Sequence, residues 1–235
     1  MSYYKDIYND YPLRCGKLWR KLRKQAEKEQ LDVTFMLTIA AAGLAAPYEH
    51  FKNQSEDDGS TTDHPGINSS SDPSRYGEIR GEIMGALDGP VFGKKSLFAN
   101  LDLSRWSYRK VTELKQIRGC VEFQDPAGEP LPIRTPRNAI SVFRNALAHN
   151  NIYAFNKSGA KEIDEITFFT QIREKNKISD KYVVKGYKVL TLPHLDFATF
   201  LDSWFDLLKK VDPTATSLRS AIAETLAEDD FSDAA

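Results

Sequence analysis

The chain has 235 residues, of which 41% are hydrophobic and 11% aromatic, enough for a sizeable core, which excludes a wholly disordered protein. With 32 Lys and Arg against 33 Asp and Glu the net charge is −1, so affinity for nucleic acid has to come from a local patch and not from the overall field. Two cysteines, Cys15 and Cys120, argue against a disulfide scaffold or a cysteine-built zinc site, and the expected setting is reduced and cytoplasmic.

In chain order, the opening Met1-Ser2-Tyr3-Tyr4-Lys5-Asp6 lacks the apolar stretch of an export signal. A first helix is expected from near Leu13, with Leu18, Trp19 and Leu22 as its apolar contacts. It carries seven basic residues, Arg14, Lys17, Arg20, Lys21, Arg23, Lys24 and Lys28, opposed only by Glu27. A solvated face is the plainer reading of that cluster; the functional reading is RNA phosphate binding, with Arg20 and Lys24 as candidate contacts. Residues 31–51 read as a second, alanine-rich helix that Pro47 kinks or ends. Its apolar run, 33–46, spans 14 residues, whereas crossing a bilayer takes about 20. It belongs in a core, and no membrane partner is expected.

Residues 53–75 shift to Ser, Asp, Gly, Thr and Pro, with Ile67 as the one large aliphatic residue, which predicts an insertion loop. A helix over 76–91 follows, weakened by Gly77, Gly81 and Gly85. Ser104 is placed to cap a helix that carries Trp106 and runs towards Glu122, and Asp125-Pro126-Ala127-Gly128 marks a turn. Thr135-Pro136 sets the next start, a capping hydroxyl followed by proline at the first helical position, and that helix ends near Asn150. Residues 152–155, 163–173 and 182–192 are rich in β-branched and aromatic side chains and predict a small antiparallel unit. Phe197, Leu201, Trp204, Leu208 and Val211 mark an amphipathic helix closed by Asp212-Pro213. A last helix over 216–227 and an acidic tail over 229–235 complete the expectation. The predicted architecture is mostly α, a single domain over 1–235 in which a helical bundle carries a small antiparallel β appendage.

The helix over 135–150 holds the residues with chemistry. With Arg144 at zero and 100° per residue, Phe143, Leu147 and Ile140 fall at about 260°, 300° and 320°, an arc that faces the core. Ser141, Asn145 and His149 fall at about 60°, 100° and 140°, with the small Ala148 at about 40°. Arg144, Asn145 and His149 therefore flank a face turned away from the core. An imidazole that titrates near neutrality can take the proton of a ribose 2′-hydroxyl or return one to a leaving 5′-oxygen. A guanidinium can stabilise the charge that builds on phosphorus, and an amide can orient either group. Arg137 lies seven residues before Arg144 on nearly the same stripe, as a solvated residue or as the extension of a positive groove. This chemistry calls for no cofactor, and the sequence offers no convincing metal site.

The run Arg144-Asn145-Ala146-Leu147-Ala148-His149 resembles the Arg-polar-X3-His signature of the HEPN superfamily of helical ribonucleases. The wider chain is similar to the plasmid-encoded branch of that superfamily. The shared features are an alanine-rich helix ending Ala46-Pro47-Tyr48-Glu49, a Trp-bearing helix near Trp106, the signature helix, then strands and a Trp-bearing helix. The resemblance implies a HEPN-like bundle and a homodimer in which two signature helices meet and both Arg–His pairs form one composite cleft. It implies metal-independent endoribonuclease activity on RNA, leaving 2′,3′-cyclic phosphate and 5′-hydroxyl ends, in a toxin or an anti-phage effector held by an antitoxin or another regulatory partner. The alternative it leaves open is a non-catalytic module that binds RNA, a nucleotide or a partner protein. Some toxin members carry a modifiable tyrosine two residues past the histidine; Asn151 stands there, and the nearest tyrosine is Tyr153, so such control is not expected. Glu49 and His50 read as polar helix-end positions, Trp106 and Trp204 as core anchors, and the cysteines as ordinary buried or half-buried thiols.

Overall fold

The structure, a computed structural model, describes residues 7–45, 47–48, 73–117, 128–156, 162–175 and 180–211. The first helix, α1 (Ile7–Lys28), buries the stripe Pro12, Cys15, Gly16 and Trp19, spaced at the three and four residues that keep side chains on one face. Trp19 stacks on Phe35 of α2 (Asp32–Ala40), with ring centroids 6.0 Å apart. Leu18 and Leu22, expected as core contacts beside Trp19, are instead 47% and 40% exposed. A helix buries one stripe, and the one that holds the large indole and the small Gly16 takes the inner side.

The expected helix over 31–51 begins at Asp32 and changes its winding midway. At Ala41 α2 passes into a π turn, Ala41–Ala45, whose Gly43, Leu44 and Ala45 are buried, and helical residues 47–48 follow. The next helix, α3 (Pro73–Asp88), starts three residues inside the predicted loop 53–75 and buries Ile83 and Leu87. Residues 53–72, the helix expected over 216–227 and the tail 229–235 lie outside the described residues, as do Glu49, His50 and Cys120.

The helix expected from Ser104 to Glu122, and with it the Trp-bearing helix near Trp106, is replaced by a strand. Asp102, not Ser104, is the cap: its carboxylate accepts the Ser104 N–H at 3.1 Å and closes a single 3-10 turn, Leu103–Arg105. The chain then enters β1 (Ser107–Val111), with Tyr108 and Val111 buried. Pairing with a strand some eighty residues later overrides the local capping signal.

The sheet is larger than an appendage. With β2 (Glu129–Pro130), β3 (Ile152–Phe155), β4 (Glu165–Lys175) and β5 (Tyr182–Pro193) it has five strands in the order β2-β1-β5-β4-β3, all paired antiparallel. Phe168 faces Leu190 across the β4–β5 ladder, and both are fully buried in the main core. The register shifts after Ile172, which pairs with Gly186. Gly186 has φ 151°, and a Cβ there would lie 2.5 Å from the Val111 carbonyl oxygen, so a residue without Cβ is what lets β1 close on β5. The expected strand positions hold, while the description as mostly α gives way to a helical part and a five-stranded sheet sharing one core.

That core centres on Phe143 of α4 (Pro136–His149), whose ring lies 4.9 Å from both Phe168 and Phe197 and 5.3 Å from Phe200. Phe197 and Phe200 belong to α5 (His194–Val211). In the first turn of α5, Asp196 is buried and accepts the Trp106 indole N–H at 2.9 Å. Ion pairs Arg23–Asp202 and Arg20–Asp206, both 2.8 Å, run α5 antiparallel to α1. Among the described residues no helix is long and apolar enough to cross a membrane.

Candidate active site

The phase of α4 is set at its start. Asn138 Oδ1 accepts the backbone N–H of Arg134 at 2.9 Å and of Thr135 at 3.1 Å, and Pro136 occupies the first turn, where a missing N–H costs nothing. From that start Ala139, Ile140, Val142, Phe143 and Ala146 are fully buried. Leu147 is half-buried, and the core-facing arc is wider than Phe143, Ile140 and Leu147, extending round to Val142 and Ala146. Arg144 and Asn145 are half-buried and Ala148 and His149 exposed, which leaves the three residues on the uncovered side.

The helix stops abruptly after His149. Asn150 takes the left-handed conformation, φ 53° and ψ 37°, and the N–H groups of Asn150 and Asn151 both reach back to the Ala146 carbonyl, the latter at 2.9 Å. This is the C-terminal closure that asparagine tolerates better than other residues with a Cβ. The chain enters β3 at Ile152.

Arg144 donates from Nη1 to Asn145 Oδ1. Burial pulls the Arg144 guanidinium below the usual arginine range, and Tyr48 nearby opposes that pull; an arginine so placed stays cationic at neutral pH. Among the described residues the His149 imidazole makes no hydrogen bond or ion pair. Arg144 and His149 are separated by about 140° around the axis and by about 7.5 Å along it.

Arg137 is on the same stripe but is engaged. Its Nε and Nη2 hold the two Asp88 carboxylate oxygens at 2.5 and 2.6 Å. That bond, ahead of the cost of burial, raises its pKa. Tyr48 is 3% exposed and lies within electrostatic reach of Arg137 and Arg144. Burial pushes the Tyr48 phenol up, against the charges of Arg137 and Arg144. Arg20 and Lys24 lie on α1, which packs on α2, the π turn and α5; Arg20 is paired with Asp206, and Lys24 is exposed with no ion pair among the described residues. The structure thus joins Arg144, Asn145, Arg137 and Tyr48 in one neighbourhood and leaves Arg20 and Lys24 on a different helix.

Tyr48 and Asp88 have no assigned role in the sequence reading. Nothing in the spacing links Tyr48 to residues some ninety positions on. Asp88 does carry a signal: a carboxylate at the C-terminal end of a helix opposes the dipole, and it pays for that position only with a partner from elsewhere.

No curated protein and no solved structure matches the chain. The model of the family described as HEPN pEK499 p136 matches residues 1–214, which include α4 with Arg144, Asn145 and His149 and every described element. HEPN domains in general are nucleases or RNA-binding modules. The chain belongs to the HEPN pEK499 p136 family.

Proposed function

We propose that the chain is an endoribonuclease that cleaves RNA by internal attack of the ribose 2′-hydroxyl. The observation that carries this reading is the hydrogen-bonded Arg144–Asn145 pair and His149 on the side of α4 that the core leaves uncovered. As the 2′-oxygen forms its bond to phosphorus, its proton passes to an imidazole. The bond from phosphorus to O5′ breaks, and O5′ takes a proton from an imidazolium, giving 2′,3′-cyclic phosphate and 5′-hydroxyl ends. Arg144 meets the charge that builds on the non-bridging oxygens, where partial burial limits screening by water. Asn145 holds the guanidinium in place. The nucleophile is part of the substrate, so the steps need neither metal nor cofactor.

The divergence of Arg144 and His149 on one helix favours a homodimer in which two signature helices face each other. Two arginines and two histidines then line one cleft, one imidazole serving as base and the other as acid. A toxin or anti-phage effector of the cytoplasm, restrained by an antitoxin or another regulatory partner, is the role this activity fits. The test is to incubate wild type, Arg144→Ala and His149→Ala with total RNA in excess EDTA and to map the product ends. Cleavage by wild type alone, leaving cyclic phosphate ends, is the expected result; equal cleavage by all three overturns the site. One observation favours a second reading, a non-catalytic RNA-binding module: no hydrogen bond orients the His149 ring among the described residues. RNA binding without cleavage by wild type would decide for it.

A further inference from the structure

Six of the basic residues of α1 separate into two sets in the folded chain. Arg20 and Arg23 cross to Asp206 and Asp202 of α5 at 2.8 Å, and Arg23 also lies 5.2 Å over the Trp19 ring. Lys17, Lys21, Lys24 and Lys28 are all exposed, and among the described residues none joins an ion pair or hydrogen bond. Their spacing of four, three and four residues sets them in one row. The row occupies about 60° of arc and about 16.5 Å of axis, opposite the buried Cys15–Trp19 stripe. Among the described residues no carboxylate interrupts it, since Glu27 turns to Arg23 at 3.7 Å.

We infer that this lysine row binds the phosphodiester backbone of single-stranded RNA at a surface separate from the site on α4. The inference rests on the ribonuclease reading and deepens it. In a chain of net charge −1 the row is a local cationic patch of the kind that nucleic-acid affinity demands. Lysines are compact charges on flexible stems, suited to backbone contacts that ignore base identity. The arginines, whose planar forks suit fixed carboxylates, are the ones engaged with Asp202 and Asp206 of α5. Helices α1 and α4 both pack on the π turn, so RNA held on the row is tethered to the body that carries Arg144. The row therefore lowers KM and leaves the chemical step alone. Leu18 and Leu22 border it on one side, which makes an acidic amphipathic protein segment the occupant to be separated from RNA.

The test measures fluorescence anisotropy of a labelled single-stranded RNA oligonucleotide with His149→Ala protein, which keeps the probe intact. That parent is compared with a variant changing Lys17, Lys21, Lys24 and Lys28 to Gln, one changing them to Arg, and a control changing Lys94, Lys95, Lys181 and Lys209 to Gln. The control residues are exposed, lie off the row and alter net charge equally. Four lysines on a single strand contribute a slope of about 2.8 in log affinity against log salt. Between about 50 and 200 mM salt the parent should then lose about fifty-fold more affinity than the row-to-Gln variant. The Arg variant and the control should keep the parent slope, and with otherwise wild-type protein the row-to-Gln change should raise KM at constant kcat. A row-to-Gln variant with the parent slope, a control that falls as far, or tight row-dependent binding of polyglutamate or an acidic amphipathic peptide in place of RNA each overturns the inference. If the four-fold Gln variant fails to fold, Lys17→Gln with Lys28→Gln should lower the slope by about 1.4. Cleavage by wild type with a row-independent slope sinks the inference alone; row-dependent binding without cleavage sinks the nuclease reading alone.

Discussion

Gly43→Ala and Gly85→Ala are one chemical change in two helical settings, with opposite expected signs. Gly43 is buried in the π turn, and its carbonyl accepts the Trp204 indole N–H at 2.9 Å. A Cβ at Gly43 would lie 2.7 Å from two ring atoms of Phe205 and 2.9 Å from Cys15 Cβ. The Phe205 ring is 2% exposed and closes on Gly16 as well, where an added Cβ would meet it at 3.1 Å. Overpacking of this kind costs about 1–3 kcal/mol. It is offset in part by the about 0.5–1 kcal/mol that Ala gains over Gly in a helix, so a net loss of about 1–2 kcal/mol is expected. Gly85 is exposed on α3, and a Cβ there meets nothing within 4 Å. Only the propensity gain of about 0.5–1 kcal/mol remains. Urea unfolding followed by tryptophan fluorescence, at one fixed protein concentration, should lower the midpoint for Gly43→Ala and raise it for Gly85→Ala at unchanged slope. Adding Phe205→Leu to Gly43→Ala should recover part of the loss through a coupling above about 0.5 kcal/mol. A Gly43→Ala protein as stable as wild type refutes the close approach of α1, the π turn and α5. A destabilised Gly85→Ala protein refutes the open face of α3.

Asp88→Asn should release Arg137 beside Arg144, lowering stability by no more than about 1 kcal/mol because the pair is largely exposed; filter binding should show RNA affinity raised, and unchanged affinity would place Arg137 away from the RNA. Burial pushes the Cys15 thiol from its ordinary 9.0 to about 11. Between those values the unfolded chain releases the proton and the folded chain keeps it, so stability is full below pH 9 and declines towards pH 11. Thermal melts across that range should show a decline that is smaller in Cys15→Ala. Asn150→Val should cost about 1–2 kcal/mol or more, since a β-branched residue fits the left-handed cap poorly, while Asn150→Gly should melt like wild type.

The signature helix was legible because its signals are local: Thr135-Pro136 at the start, the apolar arc through Ile140 and Phe143, and the stop at Asn150 all sit within sixteen residues. Strands β3, β4 and β5 were legible for the same reason, their β-branched and aromatic residues lying in continuous runs. Strand β1 was not, because Tyr108 becomes a strand residue only opposite Leu190, and no window around Ser104 contains that partner. The rotation of α1 was equally hidden: Leu18 and Trp19 are both apolar, and the contacts of Trp19 with Phe35 and the close approach of Phe205 to Gly16 decide which turns inward. Site chemistry followed the same division. Arg144, Asn145 and His149 share a helix, whereas Tyr48 and Asp88 reach that neighbourhood through tertiary packing.

The first and last described helices close on each other across the chain, Trp19 bonding to Asp202 and Arg20 to Asp206 over separations of 183 and 186 residues. The same late helix supplies Phe197 and Phe200, which cover Phe143. During synthesis α4 can meet the π turn and α3 as it leaves the ribosome, but the side of Phe143 that Phe197 and Phe200 cover stays open until α5 has also emerged. A message broken before that point yields aggregation-prone debris and no smaller working version, and whatever the helix does, it begins only after translation of α5.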